Sequence, residues 1–371
     1  MKTRIALLCL LLSTAQAEVG EVYQSLEQDF RVEEVSAGLD TPWGMAFLPD
    51  ASILITQRGG GLRHLREGRL LEIDGVPASS ERGQGGLLGI ALHPDFARNR
   101  YIYLAYTSKG KGGYSTEVAR AVLDRQRLTQ VETIFIAQPR YRGGRHFGAR
   151  LVFDAAGKLY VSLGDRGERH PAQDLDDHAG SLIRINDDGS VPADNPFVNQ
   201  PRHRPEIFTY GNRNMQGMAV HPLSGAIWTH EHGPQGGDEV NLMRAGMNYG
   251  WPVITYGVNY GLGTRIGEGT HKPGMQQPLH TWVPSIAPSG MAFYTGDKLP
   301  GWRGNLFVGS LRFGQLARLT LDGEKVLAEE RLFDGEHGRI RDVVSGPDGL
   351  LYLLTDSSEG KLLRIVPATP E

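Results

Sequence analysis

Three stretches of this chain concentrate side chains that can do chemistry. In the first, Arg142-Gly143-Gly144-Arg145-His146-Phe147-Gly148, a histidine stands in a glycine-rich loop directly before an apolar run. Imidazole titrates near neutral pH, so a histidine there can act as general base. It could equally be a loop histidine satisfied by a carbonyl. The second stretch runs from His230 to Glu239. His230 and His232 would face the same way on a strand, but no third ligand follows at a zinc spacing. Oxygen donors dominate instead: Asp238, Glu239 and carbonyls freed by Gly233, Pro234, Gly236 and Gly237. That set favours a hard cation such as calcium, although a solvated acidic loop has the same composition. Nearby, Asn248-Tyr249-Gly250-Trp251-Pro252 reads as a turn with an aromatic wall for a planar ligand. The third group is Arg213, Arg312, Arg339 and Arg341, each beginning or ending an apolar run. Gathered at one point they would make a strong anion site, since guanidinium forks bind carboxylates bidentately; taken singly they read as surface arginines.

Something must bring these distant stretches together, and a repeated phrase supplies it. A small or polar residue leads a short apolar run, then a Pro/Asp/Gly turn, then a second apolar run. The phrase starts at Gly44, Gly89, Arg150, Gly217, Gly290 and Asp342. Six copies at intervals of roughly 45–75 residues fall in the range of propellers and solenoids. Ile53-Leu54-Ile55-Thr56, Tyr101 to Tyr106, Asn305 to Val308 and Leu350 to Leu354 are strand-length runs bounded by turn residues. Third strands are expected at Leu62 to Leu65 and at Ala317 to Leu319. About 60 residues per unit suit a four-stranded blade, so the expected fold is all-β, a six-bladed β-propeller with long functional loops at its axial mouth. A β-sandwich would not explain the repetition. Phe30 to Val35 has no blade of its own; paired with Lys361 to Val366 it would close the ring and remove an exposed edge. The stretches 165–215 and 230–288 read as too polar and too rich in Gly and Pro for blade strands, hence as functional loops.

The 371 residues carry 39 basic and 42 acidic side chains, a formal charge of −3, with no basic stripe, which argues against nucleic-acid binding. Lys2 and Arg4, the apolar run Ile5 to Leu12 and Ala15-Gln16-Ala17 have the form of a cleaved signal peptide over residues 1–17, which implies a periplasmic protein. The apolar run is too short to span a bilayer, so no stable membrane insertion is expected. Cleavage would also remove Cys9, the only cysteine, leaving residues 18–371 as one propeller domain without disulfides. No Walker loop, G-x-S-x-G elbow or H-E-x-x-H helix occurs.

The segments Gly83 to Phe96, Gly211 to Gly217, Glu231 to Pro234, Asp238 to Leu242 and Asn248 to Pro252 resemble the hallmarks of the soluble glucose/sorbosone dehydrogenases that use pyrroloquinoline quinone (PQQ). The resemblance runs from about residue 35 to 366. The compact length and the Gly236-Gly237-Asp238-Glu239 spelling are most similar to the periplasmic aldose sugar dehydrogenase branch. It implies a six-bladed propeller with PQQ at the axial mouth and oxidation of the aldose C1 hydroxyl to a lactone. His146 matches the base that takes the hydroxyl proton while a hydride passes from C1 to the quinone. Arg213 matches the group that polarises the C5 oxygen. Gln84, Asn214 and Tyr260 match cofactor contacts, and Arg312, Arg339 and Arg341 match the cations that hold the PQQ carboxylates. Ser310, Leu311 and Ile340 flank those arginines and are implied as cofactor contacts with them. For Ca2+, the carbonyls of Gly233 and Pro234 match one set of ligands, and Glu239 with the carbonyl of Tyr249 matches another.

The chain departs from the glucose-specific members at Arg145, where they have aspartate, at His170, near a glutamine, and at Arg312, where they have lysine. Broad acceptance of aldose sugar substrates is therefore expected. Electrons would leave to an external acceptor, since no haem-attachment motif is present. The competing readings are a calcium-dependent propeller lactonase and a binding propeller without catalysis.

Overall fold

The computed structural model describes residues 21–368. The signal segment, residues 1–17, lies outside the described residues. Within them the regular secondary structure is almost entirely strand, arranged as six antiparallel sheets. Each of the first five sheets uses four strands in sequence order. Their innermost strands are Pro42–Phe47, Leu87–Leu92, Leu151–Phe153, Met215–Val220 and Pro288–Phe293, and the sixth sheet begins at Ile340–Ser345. All six coincide with the repeated phrase. Successive inner strands pack side by side, and the sixth meets the first, which makes the ring of a six-bladed propeller. No helix among the described residues is long and apolar enough to cross a membrane.

The second strand of most blades is buried throughout. Ile53–Gln57, Ile227–Glu231, Leu306–Ser310 and Leu351–Thr355 are buried at every position. Neighbouring blades cover both faces of these strands, so the period-two alternation of a half-exposed strand is lost. An outer strand such as Lys325–Leu332 is largely exposed or half-buried. Full burial of a Leu or Ile side chain is worth about 1.5–3 kcal/mol, so the second strands carry much of each blade's stability. The repeated glycine has a separate cause. A Cβ at Gly89 would collide with the carbonyl of Ala149, and one at Gly217 with the ring of His230. Only glycine permits that approach near the axis.

The ring closes as the sequence predicts. Phe30–Leu39 pairs antiparallel with Gly360–Pro367, Phe30 opposite Pro367 and Leu39 opposite Gly360. The sixth blade is thus completed by the chain's first long strand.

The polar stretches are not loops throughout, contrary to the expectation from composition. Leu182–Ile185 and Ile207–Thr209 complete the third blade, and Asp238–Leu242 and His280–Trp282 complete the fourth. These strands are three to five residues long, too short for alternation to stand out from the surrounding Gly, Pro and Asp. The intervening segments do form long loops, 163–181, 186–206 and 243–279; the first carries Asp165 to His146, and the last reaches the cavity at Tyr260.

Candidate active site

A cavity of about 780 Å³ opens over the first residues of the inner strands. Trp43, Leu88, Gly148, Asn214, Ala287 and Arg341 bring all six blades to its wall or floor. Beneath the floor, Arg150 of the third blade donates to Asp342 of the sixth at 2.6 Å and to the carbonyls of Gln216 and Arg341 at 2.7 and 3.1 Å. Its guanidinium also lies 4.2 Å from the centre of the Trp43 ring. The axis is therefore plugged by a buried ion pair.

His146 borders the cavity without itself lining it, next to Phe147 and Gly148, which do, and is in a left-handed conformation, φ 51°. Its backbone N–H donates to Gln84 Oε1 at 2.8 Å, and Gln84 lines the cavity. Its ring Nδ1 lies 2.5 Å from Asp165 Oδ1. Asp165 is fully buried, and its carboxylate also accepts the Trp251 indole N–H at 2.7 Å and the Gly167 N–H at 2.8 Å. Although burial works against its charge, these donors and the facing His146 hold its pKa below the usual carboxylate value. An ionised carboxylate only accepts, so Nδ1 carries the proton and Nε2 keeps its lone pair. Burial, with a smaller contribution from Arg213, lowers the His146 pKa against the opposing pull of Asp165. The imidazole is neutral at pH 7 with Nε2 available to accept a proton.

Sequence reasoning missed Asp165. It lies in an ordinary-looking Gly164-Asp165-Arg166-Gly167 turn, and only its three-dimensional pairing marks it. The one available signal is that it opens the first long polar loop.

Arg213 is buried, with its guanidinium donating to the carbonyls of His232 and Gly233 at 2.9 and 2.7 Å and lying 5.5 Å from the Trp251 ring centre. Its backbone carbonyl accepts the Asp165 N–H at 2.7 Å, so it adjoins the His146–Asp165 pair. His232 lines the cavity, where burial pushes its pKa down to about 3; its Nε2–H donates to the Pro288 carbonyl at 2.5 Å.

Across the cavity stand Arg312, Arg339 and Arg341, with Leu311 beside them and Arg58 farther round the wall. Asp356 is the single carboxylate among the lining residues. It accepts from Arg339 Nε and Nη2 at 2.9 and 2.8 Å and pairs with Arg341 Nη2 at 3.1 Å. Four guanidinium groups against one carboxylate make a strongly cationic wall. Tyr260 stands at the rim, 66% exposed, while Asn214 and Pro234 complete the predicted set at the cavity. Ser310 and Ile340 are not brought there. Ser310 is buried with its hydroxyl donating to the Ile286 carbonyl, and Ile340 packs in the core between the fifth and sixth blades. The side chains of successive strand residues point to opposite faces, so flanking a cavity arginine turns Ile340 away.

A second, narrow pocket joins Gly233, Glu239 and Tyr249 with Glu231 and Arg213. Glu231 is buried, and burial raises its pKa to about 7. Burial and the charge of Glu231 raise that of Glu239 well above the ordinary carboxylate value. The side-chain oxygens of Asn212 and Asn241 are buried without partners close by. Two crowded carboxylates and orphaned oxygens form the surroundings a hard cation would relieve. Asp238 does not join them: its carboxylate accepts backbone N–H groups of Gly233, Ile286 and Ala287 at 2.8–3.0 Å and pins the loop. His230 is likewise no ligand, since it is fully buried against Gly217.

This fold and this cavity place the chain in the glucose/sorbosone dehydrogenase family, whose sequence model matches residues 39–364, and it is accordingly an oxidoreductase of sugar CH–OH groups. Among its relatives, the aldose sugar dehydrogenase YliI of Escherichia coli is 46% identical over 344 residues, covering 91% of this chain and 92% of that one. Quinoprotein glucose dehydrogenase B of Acinetobacter calcoaceticus is 28% identical, covering 89% of this chain and 86% of its own. The apo-form crystal structure of the soluble E. coli aldose sugar dehydrogenase superposes with a TM-score of 0.89 at 46% identity, over 91% of this chain and 99% of that chain. The PQQ-bound aldose sugar dehydrogenase of Streptomyces coelicolor gives a TM-score of 0.76 at 28% identity, over 91% of this chain and 98% of that one.

Proposed function

We propose that this protein is a PQQ- and calcium-dependent dehydrogenase that oxidises the C1 hydroxyl of aldose sugars to lactones and passes the electrons to an external acceptor. The observation that carries the reading is a neutral histidine, its Nε2 free, at the edge of a cavity walled by four guanidinium groups. The anionic, carboxylate-rich PQQ fits that wall, and when bound it supplies the two-electron acceptor. Arg312, Arg339 and Arg341 would hold its carboxylates as charge-assisted pairs, with Gln84, Asn214, Leu311 and Tyr260 around it.

His146 Nε2 takes the proton of the sugar hydroxyl. Asp165 keeps the ring in the required tautomer and stabilises the imidazolium that results, the role of the carboxylate in a Ser-His-Asp triad. Arg213 offers a fixed positive charge beside the reacting groups, where developing oxyanion charge is stabilised without reorganisation. Glu239 and the carbonyls of Tyr249 and Gly233, which share the narrow pocket, would hold calcium, with Glu231 as a neighbouring carboxylate; Pro234 lies on the main cavity, apart from them. A bound calcium ion supplies Lewis acidity and balances the two buried charges.

A hydrolase of the propeller type would need a carboxylate-lined metal on the axis; here Arg150 and Asp342 bind each other at that place. The leader sequence supports export to the periplasm. The direct test mixes apo-protein with PQQ and Ca2+, adds an aldose, and follows reduction of an artificial acceptor. Reduction that needs all three components is expected. PQQ binding without turnover on any aldose would leave only a binding propeller.

A further inference from the structure

We infer that Arg166 is the positioning residue of the general base, clamping the backbone that carries His146; the inference rests on the reading of His146 as that base. Arg166 is 7% exposed and does not line the main cavity. Its Nη1 donates to the Arg145 carbonyl at 2.6 Å and its Nη2 to the Gly143 carbonyl at 2.8 Å. The guanidinium carbon lies 3.4 Å from the centre of the Phe147 ring. One side chain thus grips the residues on both sides of His146: two carbonyls before it and the aromatic face after it.

The loop needs such a grip. A histidine at φ 51° is in a region that non-glycine residues occupy only when their surroundings enforce it. Gly143 and Gly144 just upstream give the segment little stiffness of its own. Asp165 fixes the ring, and Gln84 fixes the backbone N–H. The carbonyl side of the loop is held by Arg166.

Stability alone is a poor explanation for this residue. Among the described residues Arg166 has no carboxylate within ion-pair distance, and its Nε is buried without a partner. A buried guanidinium satisfied only by carbonyls and a ring is costly, and an apolar side chain of that volume would be cheaper there. Burial accordingly lowers its pKa to about 10. What the guanidinium adds is direction. Its planar fork fixes two carbonyls at once, and because Arg166 follows Asp165 in the chain, the groups that orient the ring and the backbone of His146 move as one unit.

The test uses the holoenzyme with PQQ and Ca2+. Arg166→Met should lower kcat about 10–100-fold, the scale of a sub-ångström to 1 Å misplacement of a reacting group. KM for the aldose and the PQQ titration should stay unchanged, since Arg166 reaches neither. Arg166→Lys, which can still donate to one carbonyl, should recover part of the loss. Arg166→Gln, which can keep one carbonyl contact without the fork, should give a smaller fall in kcat and serves if Arg166→Met does not fold. In a His146→Gln background, Arg166→Met should cause no additional loss of residual turnover. Unchanged kcat in Arg166→Met, or an equal additional loss in the His146→Gln background, overturns the inference. Full turnover by His146→Gln alone would instead overturn the reading of the base, a result separable from the other two.

Discussion

Arg150 and Asp342, 192 residues apart in the chain, meet at 2.6 Å across the propeller axis and join the third blade to the sixth. Asp342 also accepts the Met45 N–H of the first blade at 3.0 Å, and Arg150 reaches the Gln216 carbonyl of the fourth. Four inner strands are thereby tied by two side chains. Arg150→Met should destabilise the fold by about 3–5 kcal/mol, because it strands a buried carboxylate. Replacing both, Arg150→Met with Asp342→Leu, should restore most of that. Denaturant melts of the two single variants and the double variant measure the difference.

The His146–Asp165 pair sets the acid limb of the pH profile. The proposed base must be neutral to accept a proton, so kcat/KM should fall as pH falls through the pKa of His146, which burial places below the ordinary histidine value of 6.5. Asp165 opposes that lowering. Asp165→Asn should therefore move the limb to still lower pH, and by releasing the tautomer it should reduce the plateau rate about 100-fold or more. A pH–rate profile of both proteins reads both effects, and a limb that moved upward would contradict the assignment.

Asp356 is an anionic residue in an anion site, and its purpose is geometric. It receives Arg339 and Arg341 together and fixes both forks. Arg341→Met should weaken PQQ binding about 10–100-fold, the equivalent of one charge-assisted hydrogen-bonding group worth about 1.5–3 kcal/mol. Asp356→Asn should also weaken it, despite removing a negative charge. Tighter binding in that variant would mean that net charge, not orientation, governs the site. Fluorescence or activity titration with PQQ decides.

Glu239 should make calcium binding sensitive to acid. Its pKa is raised by burial and by Glu231, so protons compete for the carboxylate well above the ordinary glutamate range. Calcium affinity should weaken as pH is lowered, beginning well above the ordinary glutamate range, and Glu239→Gln should abolish both the binding and its pH dependence. Isothermal titration with Ca2+ at several pH values is the measurement; an affinity flat with pH would remove Glu239 from the site.

The frame was readable in the chain because propeller physics writes itself locally. Each inner strand repeats the same demand, a small residue where strands converge and apolar residues after it, and six repetitions are visible without coordinates. His146 and the arginines could be singled out by type and by position beside those strands. Asp165 and Asp356 could not, because each occupies a turn any aspartate could occupy, and Asp342, visible as the start of a repeat, gave no sign of its partner 192 residues away. The short strands Leu182–Ile185 and Asp238–Leu242 were hidden for another reason. Their residues take blade positions because neighbouring blades bury them, and that pressure leaves little trace in a five-residue pattern. Ser310 and Ile340 show the converse error, in which adjacency in sequence stood in for adjacency in space.

The pairing of Phe30–Leu39 with Gly360–Pro367 bears on the order of events in biosynthesis. Glu33 and Arg364, joined at 2.6 Å within that pairing, are separated by 331 positions. The first long strand thus has to wait for a partner made last, whereas each of the other five blades is built from strands consecutive in the chain. The entropic penalty for closing so long a loop grows only slowly, by about 0.6 kcal/mol per doubling of length, so the wait is thermodynamically tolerable. The sixth blade also bears Arg339, Arg341 and Asp356. On the proposed reading, a truncated chain would lack those two arginines of the cofactor wall, so PQQ binding should require the completed ring.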